Sequence, residues 1–393
     1  MSAIILDNAR VVTPDGVVAK SLAFSDGVVG GAPRAGALRI DLHDHMILPG
    51  LINAHDHLHL NGIAPLEHLP PFANSYQWID AWSQTLAEAP GALTAMTRHE
   101  RYWQGGVKNI LAGATTVAHH DPWHVALADP SFPAELLKEF GWCHSLGLGA
   151  SSPGHRPRYG PAVLESFNAT SASMPWIIHL AEGIDDIAAA ELEQLEALGC
   201  LASNTVLVHG VGLSERDVDR VIGARAAVIW CPSSNRSMFG RTLDARRLFN
   251  AGRLALGTDS RLTGSRDLLE ELRVAQACSD LTPAELFQLV TTDAARVLRA
   301  PRAGELTSRH RADCIILPAS GNPCGALLGT TRSDIRAVVR AGVPAVADPD
   351  FADWFEHCGI PVVEASLDGR KKLIARKCLA HLRRDAEPGL SLP

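Results

Sequence analysis

The chain has 393 residues, 46% of them hydrophobic and 20% charged, so apolar material for a core is ample and a disordered chain is excluded. Its formal charge of −7, from 36 basic and 43 acidic residues, argues against a protein that neutralises nucleic-acid phosphate. No run approaches the roughly 18 apolar residues of a membrane span, and the start MSAIILDNARVVTPDG lacks the pattern of a secretory signal. The eight cysteines (143, 200, 231, 278, 314, 324, 358 and 378) are scattered without a CxxC pair and read as reduced thiols of a cytoplasmic protein. Seventeen histidines is a high count, and histidine is the commonest metal ligand.

In chain order, Ala3–Ile5 and Ala9–Val12 read as short strands, separated by Asp7-Asn8 and closed by the turn signal Pro14-Asp15-Gly16. Gly27 to Gly36 reads as a loop. From Pro49 to about Ala300, short apolar runs alternate with helical stretches. The apolar runs are Leu51–Ala54, Ala114–Ala118, Trp142–Gly149, Trp176–Leu180, Thr205–Val208, Ala226–Trp230 and Leu254–Leu256. Leu192–Leu198, Glu215–Ile222 and Leu268–Ala277 carry apolar residues at helical spacing. Repeated strand–helix units predict parallel strands with helical crossovers. After Pro301 the pattern returns to β, with Asp313–Leu317, Ile335–Arg340 and Val343–Val346 as strands. Val362–Glu364 and Lys372–Ala375 are bridged by the hairpin signal Asp368-Gly369. Both chain ends are thus β, and the simplest packing joins them in one small domain. The tail Asp385–Pro393 is expected to fray.

The sharpest motif is Leu48-Pro49-Gly50-Leu51-Ile52-Asn53-Ala54-His55-Asp56-His57-Leu58-His59. Residues two apart on a strand point to one face, so His55 and His57 form half of a metal site at a strand's C-terminal end. Three later apolar runs end in polar groups: Ile178-His179-Leu180-Ala181-Glu182, Val208-His209-Gly210 and Leu256-Gly257-Thr258-Asp259. A charged group there needs a partner if it is buried. Four strands ending in His, His, His and Asp are hard to explain by core packing alone.

On these segments (PGLINAHDH, HLAEG, VLVHG, WCPSSN and LGTDS, in that order) the chain resembles the amidohydrolase superfamily, in the branch of cytosine and guanine deaminases and triazine hydrolases. The resemblance implies an α/β fold: a TIM-like (β/α)8 barrel over residues 48–301 and a small β-sandwich domain formed by residues 1–47 and 302–393. It implies one divalent ion, Zn²⁺ or Fe²⁺, on His55, His57, His179 and Asp259. Glu182 and His209 are implied as acid–base groups, with Asp259 taking a proton from water. The implied reaction is hydrolysis of a non-peptide carbon–nitrogen bond, with deamination of an amino-substituted heterocycle leading. Amide or cyclic-amide hydrolysis at the same ion is the alternative, and a non-catalytic scaffold is a third reading from another class. The implied partners are a small-molecule substrate and further copies of the chain, with no nucleic acid and no membrane. Between residues 60 and 260 the only lysines are Lys108 and Lys138, each expected in a helix. The bridging lysine of binuclear members is therefore missing, and a single ion is expected.

One departure stands out. Between Gly149 and Trp176 the family supplies a strand and a helix, but here there is only SSPGHRPRYGP and one helical stretch, Ala162 to Ser171, so one barrel strand is expected to be short, missing or irregular. Candidate substrate contacts are His59, one of His119 and His120, Trp123 and Asn235. Arg156 and Arg158 could grip an anion but read first as solvated loop charges. Asp56, Cys143 and His144 are expected to be structural, and Cys231 to be buried rather than nucleophilic.

Overall fold

A computed structural model describes residues 3–13, 16–30, 36–63, 71–88, 95–148 and 159–393. Five strands precede the histidine motif: Ile4–Thr13 (β1), Gly16–Ser25 (β2), Val28–Val29 (β3), Leu38–Asp41 (β4) and His45–Pro49 (β5). Eight follow in the middle of the chain: Leu51–Asp56 (β6), Ala114–His119 (β7), Glu135–Leu136 (β8), Gly141–Ser145 (β9), Trp176–Leu180 (β10), Thr205–His209 (β11), Ala227–Trp230 (β12) and Leu254–Leu256 (β13). The last six are Cys314–Pro318 (β14), Ala337–Arg340 (β15), Val343–Ala347 (β16), Val362–Leu367 (β17), Arg370–Ala375 (β18) and Leu390–Ser391 (β19).

The middle strands are all parallel and form two sheets, β13-β12-β11-β10-β9 and β6-β7-β8. Their residues are almost all buried, which explains the near-continuous apolar runs of the sequence. The sheets meet where Thr258 N and Asp259 N, just past β13, donate to His55 O at 3.0 and 3.1 Å. Gly257 permits this approach, because a Cβ there would lie 2.7 Å from His55 Cβ. A smaller apolar cluster gathers Ile52, Ala54, Ile177, Val206, Ile229 and Ala255 from both sheets.

The helices that matter for the site are Ser75–Glu88 (α1), Arg98–Leu111 (α2), Val163–Ala169 (α3), Asp186–Ala189 (α4), Glu191–Ala197 (α5), Glu215–Gly223 (α6), Pro232–Phe239 (α7), Arg246–Asn250 (α8) and Leu268–Ala277 (α9). Helix α2 starts in a capping box between Thr97 and Glu100, and α6 in one between Ser214 and Asp217. Among the described residues, no helix is long and apolar enough to cross a membrane.

Both chain ends share one 11-stranded sheet. Its seam is the antiparallel pairing of β5 with β14, Ile47 opposite Ile316. Several expectations change, and Val28–Val29 (β3) falls in the segment read as a loop, whose residues 31–35 lie outside the described residues. The two short N-terminal strands are one strand, in which Asp7-Asn8 forms a bulge with Asn8 at φ 59°. Lys138 lies between β8 and β9, not in a helix. Among the described residues the shortest of the middle parallel strands is β8, with two residues, and α3 lies between β9 and β10; residues 149–158 of the expected irregular stretch lie outside the described residues. The tail is tied down: Glu387 is buried against Arg261 at 2.7 Å and against Arg332, and β19 extends the sheet beside β17. Residues 14–15 of the first turn signal, and Arg156 and Arg158, lie outside the described residues.

Candidate metal centre and substrate cavity

The four residues implied as ligands converge from three strand ends. His57 Nε2 lies 3.2 Å from His179 Nε2, and His179 Nε2 lies 3.3 Å from His55 Nε2. Asp259 Oδ1 lies 3.5 Å from His57 Nε2 and 3.8 Å from His55 Nε2. Donors bonded to one ion at about 2.0–2.2 Å stand roughly 3–3.5 Å apart, so the set fits a single divalent cation. The remaining hydrogen bonds of these side chains sharpen the fit. His57 Nδ1–H donates to Asp121 Oδ2 at 2.6 Å, and His179 Nδ1–H donates to His144 O at 2.8 Å. With both rings neutral, each Nε2 presents a lone pair and the two lone pairs face each other. A cation between them removes that repulsion.

Protonation follows the same geometry. Burial, then neighbouring imidazoles, hold His55 and His179 well below the usual histidine range, so both are neutral and ready to ligate. Burial opposes charge on His57 too, but the Asp121 carboxylate outweighs it and pushes the pKa up to about 9. A second proton on His57 and a cation at its Nε2 are mutually exclusive.

Asp259 Oδ2 accepts from Ser234 Oγ at 2.6 Å and Thr263 Oγ1 at 2.8 Å, which turns Oδ1 toward the histidines. His209 Nδ1–H donates to Asn235 Oδ1 at 2.8 Å, and Asn235 Nδ2 donates to Thr242 Oγ1 at 3.0 Å. The free His209 Nε2 lies 3.4 Å from Glu182 Oε1. Burial pushes the Glu182 carboxyl up, and the charge of Asp259 adds to it against the opposing pull of His209. Ala181, His209 and Asp259 all adopt positive φ, at 51°, 76° and 55°. Non-glycine residues rarely do so, and such strain gathers at functional sites.

Beneath the histidines, Asp56 points away and is fully buried, as alternation predicts. It accepts from Lys108 Nζ at 3.2 Å and Asn109 Nδ2 at 2.8 Å, while Lys108 also donates to Thr258 Oγ1 at 3.1 Å. Lys108 thus leaves α2 to clamp the β6 and β13 ends together, without reaching the metal ligands as a bridge.

The site opens into a cavity of about 630 Å³. His57, His179, Glu182, His209, Asp259 and His59 line it. Of the other candidate contacts, His119 packs behind His59 and against Tyr102, and His120 stacks on His179 with ring centres 4.4 Å apart. Neither lines the cavity. Asn235 braces His209 from behind, and Trp123 is 47% exposed, away from the cavity. Residues that the sequence reading passed over take their place. Trp78 and Trp82 on α1 stack in parallel at 6.2 Å, and Tyr159 donates to Asp121 Oδ1 at 2.7 Å. His144, expected in the core, also lines the cavity. The i, i+4 spacing of Trp78 and Trp82 was the available signal for the α1 wall.

Comparison with known proteins places this geometry in context. Residues 151–347 match the model described as Amidohydrolase family. A 5-methylthioadenosine/S-adenosylhomocysteine deaminase of Pyrococcus furiosus is 24% identical over 80% of this chain and 86% of its own. A deaminase of the same description from Nitratidesulfovibrio vulgaris is 26% identical over 77% of this chain and 76% of its own. Among solved structures, an atrazine chlorohydrolase from Arthrobacter aurescens complexed with zinc superposes with TM-score 0.72 at 18% identity, covering 88% of this chain and 95% of that one. An adenosine deaminase from Xanthomonas campestris with bound zinc gives TM-score 0.69 at 19% identity, covering 91% and 97%.

Proposed function

The chain belongs to the amidohydrolase family, and on that premise we propose that it is a metal-dependent aminohydrolase that deaminates an amino-substituted heterocycle. The observation that carries the reading is the meeting of four donor atoms at one point, three of them, on His57, His179 and Asp259, turned there by the other hydrogen bonds of their own side chains. The deaminases among its relatives support the choice of reaction. In this reading the two parallel sheets are a TIM-like (β/α)8 barrel over residues 48–301, with β8 as the irregular strand. Residues 1–47 and 302–393 form the composite β-sandwich domain. The eight free cysteines fit a reducing, cytoplasmic setting.

His55, His57, His179 and Asp259 would hold the ion, and zinc is favoured by the zinc-bound relatives of known structure, although the donor set also suits Fe²⁺. When bound, the ion supplies the Lewis acidity that lets water give up a proton near neutral pH. Asp259 takes that proton on its carboxylate, which Ser234 and Thr263 hold in place through Oδ2. His209 Nε2 accepts from the attacking water and orients it, because its Nδ1–H is committed to Asn235. Glu182, whose hold on a proton burial strengthens, gives its proton to the ring nitrogen next to the attacked carbon. The carbon–nitrogen bond then breaks: the amino group leaves as ammonia with the proton held by Asp259, and the remaining hydroxyl proton restores Glu182 as the carbonyl forms.

The test is ammonia release from aminated purines, pyrimidines, pterins and triazines by native protein, by chelator-treated protein, and after addition of Zn²⁺ or Fe²⁺. Ammonia release with an intact ring, lost on chelation and restored by metal, is expected. Ring opening or release of an acid without ammonia would replace deamination by amide hydrolysis.

A further inference from the structure

Helix α2 presents Arg98 and Arg101, one turn apart, to the substrate cavity. Neither guanidinium has a carboxylate within ion-pair distance among the described residues. Arg98 donates only to Tyr102 Oη, at 3.3 Å, and lies 5.7 Å from the centre of that ring. Among the described residues Arg101 makes no side-chain hydrogen bond, and its Nε is buried without an acceptor. Burial, and then the charge of Arg98, push the Arg101 pKa down, as expected for two like charges left side by side.

Several guanidiniums elsewhere in this chain are matched to carboxylates, whereas, among the described residues, Arg273 and Arg340 donate only to main-chain carbonyls and Arg253 meets no carboxylate. Arg261 meets Glu387 at 2.7 Å, Arg332 meets Glu387 and Asp368, and Arg311 meets Asp313 at 3.1 Å and Glu135 at 3.2 Å. What sets Arg98 and Arg101 apart is that they face the substrate cavity together. Asp80 lines the same cavity from α1, so the wall is not uniformly basic. Trp78, Trp82, Leu86 and Leu148 supply apolar surface beside the arginines. A cavity of about 630 Å³ suits a ligand larger than one heterocycle.

We propose that the substrate is an amino-heterocycle bearing a carboxylate or phosphate on a substituent, and that Arg98 and Arg101 hold that anion at the α2 wall. This rests on the deaminase reading and names the substrate class of the same site. Two forked donors in reach of one anion form charge-assisted hydrogen bonds, stronger than neutral ones, and the anion relieves the repulsion between them. A neutral analogue leaves both guanidiniums unpaired.

The experiment measures ammonia release by the metal-loaded enzyme from pairs that differ by an anionic group: adenosine and adenosine 5′-monophosphate, cytidine and cytidine 5′-monophosphate, pterin and pterin-6-carboxylate. In at least one pair the charged member is expected to be preferred in kcat/KM by roughly 10–100-fold. The R98Q/R101Q variant should bring that ratio toward one, through a raised KM for the charged member. R98K/R101K, which keeps the charge without the fork, should recover part of it and shows that the Gln variant is not merely misfolded. Turnover of neutral members equal to or better than their charged partners, or an unchanged ratio in R98Q/R101Q, would overturn the proposal while leaving deamination standing. No ammonia from any member would overturn the deaminase reading, and this inference with it.

Discussion

At the strand ends, the second polar atom of His57, His179, His209 and Asp259 is already bonded to the protein: to Asp121, a main-chain carbonyl, Asn235, and Ser234 with Thr263. On the α1–α2 wall of the same cavity, the two indoles stack on each other, and Arg98 and Arg101 meet no carboxylate among the described residues. The difference teaches how the cavity divides its work. Groups that hold an ion and move protons need a single orientation, and His57, His179, His209 and Asp259 each lose a hydrogen-bonding valence to the scaffold to get it. Groups that select a ligand keep their valences for the ligand.

The strongest way to break this contrast is to remove a strand-end donor. H179A is expected to lose bound metal and to cut ammonia release by about 10⁴-fold or more, read by metal analysis and steady-state rates. Full metal content and activity in H179A would erase the distinction between floor and wall.

The acid comes next. E182Q should keep its metal and lower kcat by roughly 10²–10⁴-fold. The sign of the pH effect is set by burial, which raises the Glu182 pKa above the ordinary carboxylate value. The protonated, active form is complete below that raised value and is lost as pH rises through it. The wild-type kcat should therefore fall on an alkaline limb that E182Q lacks; the same limb in both enzymes would assign it to another group.

A smaller change loosens one orientation and leaves every ligand in place. D121N removes the carboxylate that fixes His57 and should weaken metal affinity by about 10–100-fold. Activity at saturating metal should survive far better than in H179A. A metal affinity equal to wild type would show that His57 is oriented without Asp121.

The wall gives the smallest effect. W82A should raise KM by about 2–10-fold through lost ring contact and leave metal content untouched. A fall in kcat as deep as that of E182Q would place this indole in the chemistry and not on the selecting wall.

The same division governs what could be read in the sequence. His55, His179 and His209 were legible because they lie at the ends of buried strands, where the strand period fixes where a side chain points, while His57 and Asp259 lie just past theirs and were marked by the motif around them. Asp56 was legible for the same reason. The α1 wall was not, because the face that Trp78 and Trp82 share has the spacing of any core-facing helix; only the tertiary fold turns it toward a cavity. Asp121 stood in plain view after His119 and His120, but its bond to His57 is set by the meeting of β6 and β7 ends. The tail was misjudged because Glu387 finds its charges on Arg261 and Arg332, distant in the chain.

The central claim is that one ion sits on His55, His57, His179 and Asp259. Anomalous diffraction from crystals of the native protein, collected on both sides of the zinc and iron absorption edges, tests it most directly. The account predicts a single peak within bonding distance of His55 Nε2, His57 Nε2, His179 Nε2 and Asp259 Oδ1. A peak instead among His59, His119 and Asp121, a second buried group able to hold a cation, or no peak in active crystals, would contradict it.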